Sequence, residues 1–208
     1  MFLVSKVFCK MDNSAQYNLI LETALGKFRK YGIRRVSMDD IASELRISKK
    51  TLYRHFANKE TLVRAGVEQN LERIIPQVLA AFEQPGPAAA RMLSIFHALG
   101  VIPQWMTVEF MSDLKSDYPH LWEEIDTRRH AVVLRVEALL EQAKVNGEID
   151  PSIHPKVVTR ILMAIIEHVL IPDVMAQSEF APTDVFATLS TMFRDGIFKQ
   201  PSRKGRKP

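Results

Sequence analysis

Apolar positions recur along this chain with the period of an α-helix almost from end to end. Tyr17, Ile20, Leu21, Ala24, Phe28 and Tyr31 fall at i, i+3, i+4, i+7, i+11 and i+14, one face of a first helix. Gly32 directly after RKY predicts its end, since basic residues favour the negative helix terminus and glycine tolerates the backbone turn beyond it. SMDD then places Asp40 three residues after Ser37, the spacing of a capping box, with two carboxylates at the positive end of the helix dipole. Ile41, Ala42 and Leu45 form the inward face of that short second helix, which stops near Arg46. Ser48 caps a third helix, KKTLYRHF, with Leu52 and Phe56 inward. Asn58 caps a longer fourth one, KETLVRAGVEQNLERI, which Pro76 is expected to kink or end.

EQPGP at 83–87 breaks the pattern, and helices are expected near 87–100, 104–115, 119–146, 155–177 and 183–198. Gly147 is placed to stop the long one, and Pro103, Pro119, Pro155, Pro172 and Pro182 punctuate starts or ends. No stretch alternates with period two between turn residues, so the expected fold class is all-α with about nine helices.

Charge divides the chain more sharply than its net value of +4 suggests. Residues 1–60 carry 12 basic and 6 acidic side chains, residues 61–198 carry 11 and 18, and the last ten, KQPSRKGRKP, carry 5 and none. A basic front, an acidic body and a basic tail point to a polyanionic partner for the front. Cys9 is the one cysteine of the chain, so no internal disulfide can form and a reducing cytoplasm is the expected setting. MFLVSKVFCKM lacks the long apolar run of a targeting segment; Met11 offers an alternative start. The longest apolar run, ILMAIIEHVLIP, is too short to span a bilayer and contains Glu167 and His168, so no membrane partner is expected.

Enzyme chemistry finds little support. There is no glycine-rich phosphate loop and no nucleophile motif, and His97, His120, His130, His154 and His168 lack metal-ligand spacing. No catalytic residue, metal or cofactor is expected.

The second and third helices, joined by a tight turn, have the plan of a helix-turn-helix. Ala42 sits where the two would cross, and a small side chain there permits close approach. Ile47 and Leu52 would lock the pair, leaving Lys49, Lys50, Thr51, Tyr53, Arg54 and His55 facing outward from a helix whose N-terminus can itself bind phosphate.

The segment ILETALGKFRKYGIRRVSMDDIASELRISKKTLYRHFANKETL resembles the DNA-binding domain of TetR/AcrR-type bacterial transcription regulators. TLYRHFANKETL is its most specific piece. The resemblance is close over roughly residues 15–65 and elsewhere extends only to length and helical pattern. It implies that Lys49, Lys50, Thr51 and Arg54 face the major groove or its rim. Tyr53, His55, Ser37 and Lys59 would contact backbone phosphates. The family usually has glycine in the turn where this chain has Arg46; a positive φ there would strain an arginine. The implied organisation is a lead at 1–12 (disordered, or a wrongly assigned start), a helix-turn-helix domain at 13–58, a ligand-sensing and dimerisation domain at 59–199, and a basic disordered tail at 200–208.

VVTRILMAIIEHVLI is apolar over so wide an arc that it must be covered on two sides. Val158, Leu162, Ile165 and Val169, with Phe186, Leu189 and Phe193 of the last helix, are therefore the expected interface of a homodimer. Phe96, Trp105, Met106, Glu109, Phe110, Trp122 and Ile166 are candidates for a pocket taking a small, largely apolar inducer. The expected function is a homodimeric repressor released from a palindromic double-stranded DNA operator by that ligand. A ligand-dependent activator, or a protein-interaction module built on the same fold, are the alternatives.

Overall fold

A computed structural model describes residues 12–102, 106–170 and 172–198, the side chains of 172 and 173 excepted. The expectations for the lead, for Trp105 and for the tail RKGRK lie outside the described residues. Helices follow one another in the order α1 (Asn13–Tyr31), α2 (Met38–Leu45), α3 (Lys49–His55), α4 (Lys59–Glu83), α5 (Ala88–Leu99), α6 (Val108–Asp117), α7 (Pro119–Val145), α8 (Pro155–His168), α9 (Pro172–Met175) and α10 (Pro182–Met192). A π-helical turn, Phe193–Ile197, extends α10. The all-α expectation holds; the pairing of Ile149 with Phe198 is an isolated bridge.

The chain divides into two compact units. The first holds residues up to Arg73 and resumes for a later stretch that ends at Glu123; the second begins at Ile74 and takes everything from Glu124 onward. In the first unit, Ile20, Leu21, Ala24 and Phe28 of α1 are buried against Ile33, Ile41, Leu52, Leu62 and Val63, while Tyr31, at the end of the same stripe, is exposed. α6 joins this core through Phe110 and Leu114, both fully buried. A Cβ built on Gly66 would stand 2.5 Å from the Leu25 side chain, so a larger residue on α4 there would require the buried Leu25 to shift.

In the second unit α5 packs on α10 and on the π-helical turn, where Phe96 meets Phe193 edge to face at 5.0 Å between ring centres. Glu148 accepts a hydrogen bond from the backbone N–H of Ala88 at 2.6 Å, tying the start of α5 to the turn after α7.

One expectation is narrowed and another corrected. Of the two outcomes expected at Pro76, a kink or an end, the end does not occur, and α4 runs through it to Glu83. The proline removes one backbone hydrogen bond, but Val78, Ala81 and Phe82 beyond it are buried, and their burial favours continuing the helix. The helix expected over 155–177 is interrupted instead: α8 ends at His168 and Pro172 opens α9. A proline disfavours the helical conformation of the residue before it, which accounts for a stop short of Pro172.

Candidate nucleic-acid interface

α2 starts where its cap requires. Ser37 Oγ accepts from the backbone N–H of Asp40 at 3.1 Å, and the Asp40 carboxylate accepts from the Ser37 N–H at 2.8 Å. The Ser37 hydroxyl, donating to Asp40 Oδ2, and then the Ser37 N–H hold the Asp40 carboxyl below its ordinary range. α2 ends in a left-handed turn at Arg46, φ 54° and ψ 39°, the one non-glycine residue with positive φ among those described. The Ile47 N–H donates to the Ala42 carbonyl at 3.0 Å, and the Arg46 N–H donates to the carbonyls of Ala42 and Ser43. Ala42 is buried, as a close crossing of α2 and α3 requires.

α3 is capped by Ser48, whose Oγ accepts from the Thr51 N–H at 3.0 Å and lies 2.8 Å from the Thr51 hydroxyl. Leu52 is buried within α3, and Phe56, just past its end, stacks on Tyr17 of α1 at 4.6 Å between ring centres. Anchored on both sides, α3 presents Lys49, Lys50, Tyr53 and Arg54 to solvent, with Thr51 and His55 half-buried beside them. Tyr53 is 46% exposed, so its ring is not a core element.

Several of these groups already have partners. Lys49 Nζ lies 2.6 Å from Asp39 Oδ2, an exposed pair at the start of α2. Exposed pairs of this kind contribute roughly 0–1 kcal/mol, so a phosphate can displace Asp39. Arg54 Nη2 donates to Gln16 Oε1 at 3.2 Å, and His55 Nε2 lies 3.2 Å from the same oxygen. Gln16, buried on α1, thus orients two of the donors. Nothing in the sequence marked it, because a lone polar residue on a helix carries no signature. Burial, and then the neighbouring Arg54 charge, pull the His55 pKa down, so the ring is neutral at pH 7 and offers a hydrogen bond rather than a charge. Ser37 gives its hydroxyl proton to Asp40 at 2.6 Å and is committed to the cap.

Lys59 opens α4 and is half-buried. Desolvation lowers its pKa, against the opposing fields of Asp113, Asp117 and Asp40. Asn58 caps α4 by accepting from the Thr61 N–H at 2.8 Å.

The residues expected to line a ligand pocket are distributed between the units. Met106, Glu109, Phe110 and Trp122 belong to the first, Phe96 and Ile166 to the second. Phe96, Met106 and Phe110 are buried, Trp122 and Ile166 half-buried, and Glu109 exposed. A cleft of about 260 Å³ in the first unit is lined by none of them; its walls are Glu22, Leu25, Arg29, Gln69, Asn70 and Arg73.

Of the residues expected at a dimer interface, Leu162, Leu189 and Phe193 are buried within the chain itself, and Val158, Ile165, Val169 and Phe186 are half-buried. The large apolar side chains that α8 and α10 leave open are Val157 and Ile161, each 55% exposed, and Met192, 59% exposed.

Among the described residues no helix is long and apolar enough to cross a membrane, and no three side chains are grouped as a metal site would need.

Comparison with known proteins places this geometry. Residues 20–65, which contain α2, α3 and the start of α4, match the family model for bacterial regulatory proteins of the tetR family. The HTH-type transcriptional regulator UidR of Escherichia coli K12 is 28% identical over 152 residues, covering 69% of this chain and 74% of that protein. Among solved structures, the ketosteroid transcriptional regulator KstR2 of Mycobacterium tuberculosis superposes with a TM-score of 0.66 at 20% identity, over 91% of this chain and 98% of that one. A putative transcriptional regulator of Saccharomonospora viridis, in complex with choline, gives a TM-score of 0.69 at 18% identity, over 90% and 100%. At those identities the two structures speak for the fold.

Proposed function

Through residues 20–65 this chain belongs to the TetR family of bacterial regulators, and from that premise we propose that it is a cytoplasmic, homodimeric repressor of transcription. Its two copies of α3 would enter successive major grooves of a roughly palindromic operator, about 34–36 Å apart. The observation that carries the reading is the outward row Lys49, Lys50, Tyr53 and Arg54 on a short helix fixed from behind by Leu52, Phe56 and Gln16. Lys50 and Arg54 have the reach and the donors to read base edges. Tyr53 and Lys59 serve the phosphates, while the neutral His55 gives its one N–H to Gln16 and would reach a phosphate only by turning from it.

The dimer contact is proposed on the open side of α8 and α10, through Val157, Ile161 and Met192. Three aliphatic side chains more than half exposed are better explained by a partner surface than by water. A second copy of this chain, meeting it by a twofold axis, would cover them. A small, largely apolar molecule bound beyond the DNA-binding helices would then release the operator. It would do so by favouring a conformation in which the two α3 helices no longer match the groove spacing.

The first test is binding to the DNA immediately upstream of the chain's own gene, at two salt concentrations. Tight, sequence-selective binding should weaken steeply with salt, by about 0.9 in the log–log slope for each phosphate neutralised. A shallow slope with no sequence preference would sink DNA recognition by α3.

A further inference from the structure

The turn that links α1 to α2 is held by α6 with more hydrogen bonds than its exposure would lead one to expect. Arg34 sits in that turn. Its backbone N–H donates to Asp113 Oδ2 at 2.8 Å. Its Nε donates to Asp117 Oδ2 at 3.1 Å, and its Nη2 donates to Asp117 Oδ1 at 2.6 Å and to Ser116 Oγ at 2.8 Å. Two residues earlier, Gly32 adopts φ 80°, and a Cβ there would stand 2.7 Å from the same Asp113 oxygen. The turn therefore needs glycine for two reasons, its backbone conformation and the approach of α6. A few residues before, Thr107 Oγ1 donates to the Arg29 carbonyl at 3.4 Å.

The surrounding charges are arranged on the same joint. His120 Nε2, in the first turn of α7, lies 2.9 Å from Glu60 Oε1, in the first turn of α4. The Arg34 bond holds the Asp117 carboxyl below its ordinary range. The fields of Asp113 and Asp117 also reach Lys59. Thus three pieces of the first unit meet here: the entry to the helix-turn-helix, the start of α4, and the end of α6 where the chain passes into α7. α4 and α7 are also helices whose residues are divided between the two units.

Stability alone does not explain the arrangement. The Arg34 side chain is 62% exposed, and exposed ion pairs contribute little to stability. What a bidentate guanidinium–carboxylate pair does supply is fixed geometry. We propose that Arg34, Asp113 and Asp117 are positioning residues: they set how the α2–α3 pair is carried on α6, and thereby which half-site spacing the protein accepts. This rests on the dimeric-regulator reading and specifies how its operator is measured.

The test begins with an operator selected from random DNA by the intact wild-type protein. Binding is then followed by fluorescence anisotropy for four duplexes: the full site, a single half-site, and full sites with the spacing lengthened or shortened by one base pair. Arg34→Ala and Asp117→Asn are compared with wild type; Asp117→Asn keeps the Asp113 bond to the backbone and so guards against a variant that fails to fold. Half-site affinity should stay within about twofold, while the preference for the native spacing falls by about tenfold, inside the 5–150-fold range common for coupled sites. The charge reversal Arg34→Asp with Asp117→Arg should recover part of that preference. Equal loss on half-site and full site would make Arg34 a DNA contact and overturn the proposal. So would variants that keep the wild-type spacing preference. A wild-type protein indifferent to spacing would instead remove the dimeric reading, and this inference with it.

Discussion

Among the described residues of the first unit the large apolar side chains left exposed are Tyr31 and Tyr53, and each carries a hydroxyl. In the second they include Leu79, Leu134, Val145, Val157, Ile161 and Met192, none with a polar end. Both units bury full cores, so the contrast is one of surface. The front unit caps its helix starts, at Asp12, Ser37, Ser48, Asn58 and Thr107, and carries cations on the outside. The body keeps aliphatic area that a soluble monomer seldom exposes in such quantity. On the proposed reading one surface serves a polyanion and the other a second copy of the chain, and the front's binding energy would depend on the body bringing that copy.

The sharpest way to break that comparison is to put a charge on the body's open face. Ile161→Asp should leave the fold of the chain intact, because Ile161 is 55% exposed, yet it should prevent dimerisation. Losing the second half-site removes an effective-concentration gain of about 10²–10⁴-fold, so operator affinity should fall by that factor. Sedimentation equilibrium reads the first effect and gel shift the second. A variant that remains dimeric and binds like wild type would place the partner surface elsewhere.

Leu52→Ala tests the opposite property, the self-sufficiency of the front. Leu52 is fully buried between α3 and its supports. Its truncation should cost about 2–5 kcal/mol of stability, the range for buried leucines in other cores. Urea denaturation followed by circular dichroism should show an early transition for the front helices and retained helicity in the body. A single transition at the wild-type midpoint would mean that α3 is not supported as described.

These two outcomes bear on how much the sequence could show. The front was legible because its signals are local: Ser37, Ser48 and Asn58 cap helices within three residues of themselves, and each cap is present. The left-handed turn at Arg46 was raised only by the resemblance, whose family usually has glycine there. Gln16 and Arg34 were not legible, since what matters about each is a partner about 40 or 80 residues away. On α8 the helix was plain but not its face. Val157 and Val158 are adjacent in sequence and about 100° apart on the helix, and only the packing of the chain shows that the side with Val157 and Ile161 is the open one. Pro76 left two outcomes open for a related reason: whether the helix went on past it depended on burial beyond it, which outweighs a proline's local penalty.

Smaller effects separate the roles within the interface. Lys59→Ala should weaken binding to every sequence alike and reduce the salt slope by about 0.9, one phosphate contact. His55→Ala should weaken binding without changing the slope, because the ring is neutral and gives no counterion release. A slope unchanged in Lys59→Ala would mean that the lysine stays with Asp113, Asp117 and Asp40 when DNA binds.

Arg46 gives the smallest shift and separates strain from recognition. At φ 54° a side chain beyond Cα is strained by about 1–2 kcal/mol, which glycine avoids. Glycine also gains freedom in the unfolded chain, which offsets about 0.4–1 kcal/mol of that relief. Arg46→Gly should therefore stabilise the front by about 0.5–1 kcal/mol on these opposing terms. Arg46 lies in the turn between the two helices, two residues before the Ser48 cap of α3, so the same variant also tests for a phosphate contact there. A gain in stability with an unchanged salt slope would mean that Arg46 is merely tolerated in the turn. A gain in stability with a slope lower by about 0.9 would show that the strained backbone holds a cation against the DNA. A loss of stability would mean that the arginine's own contacts outweigh the strain, and the turn would then be better built with arginine than with the glycine its backbone conformation favours.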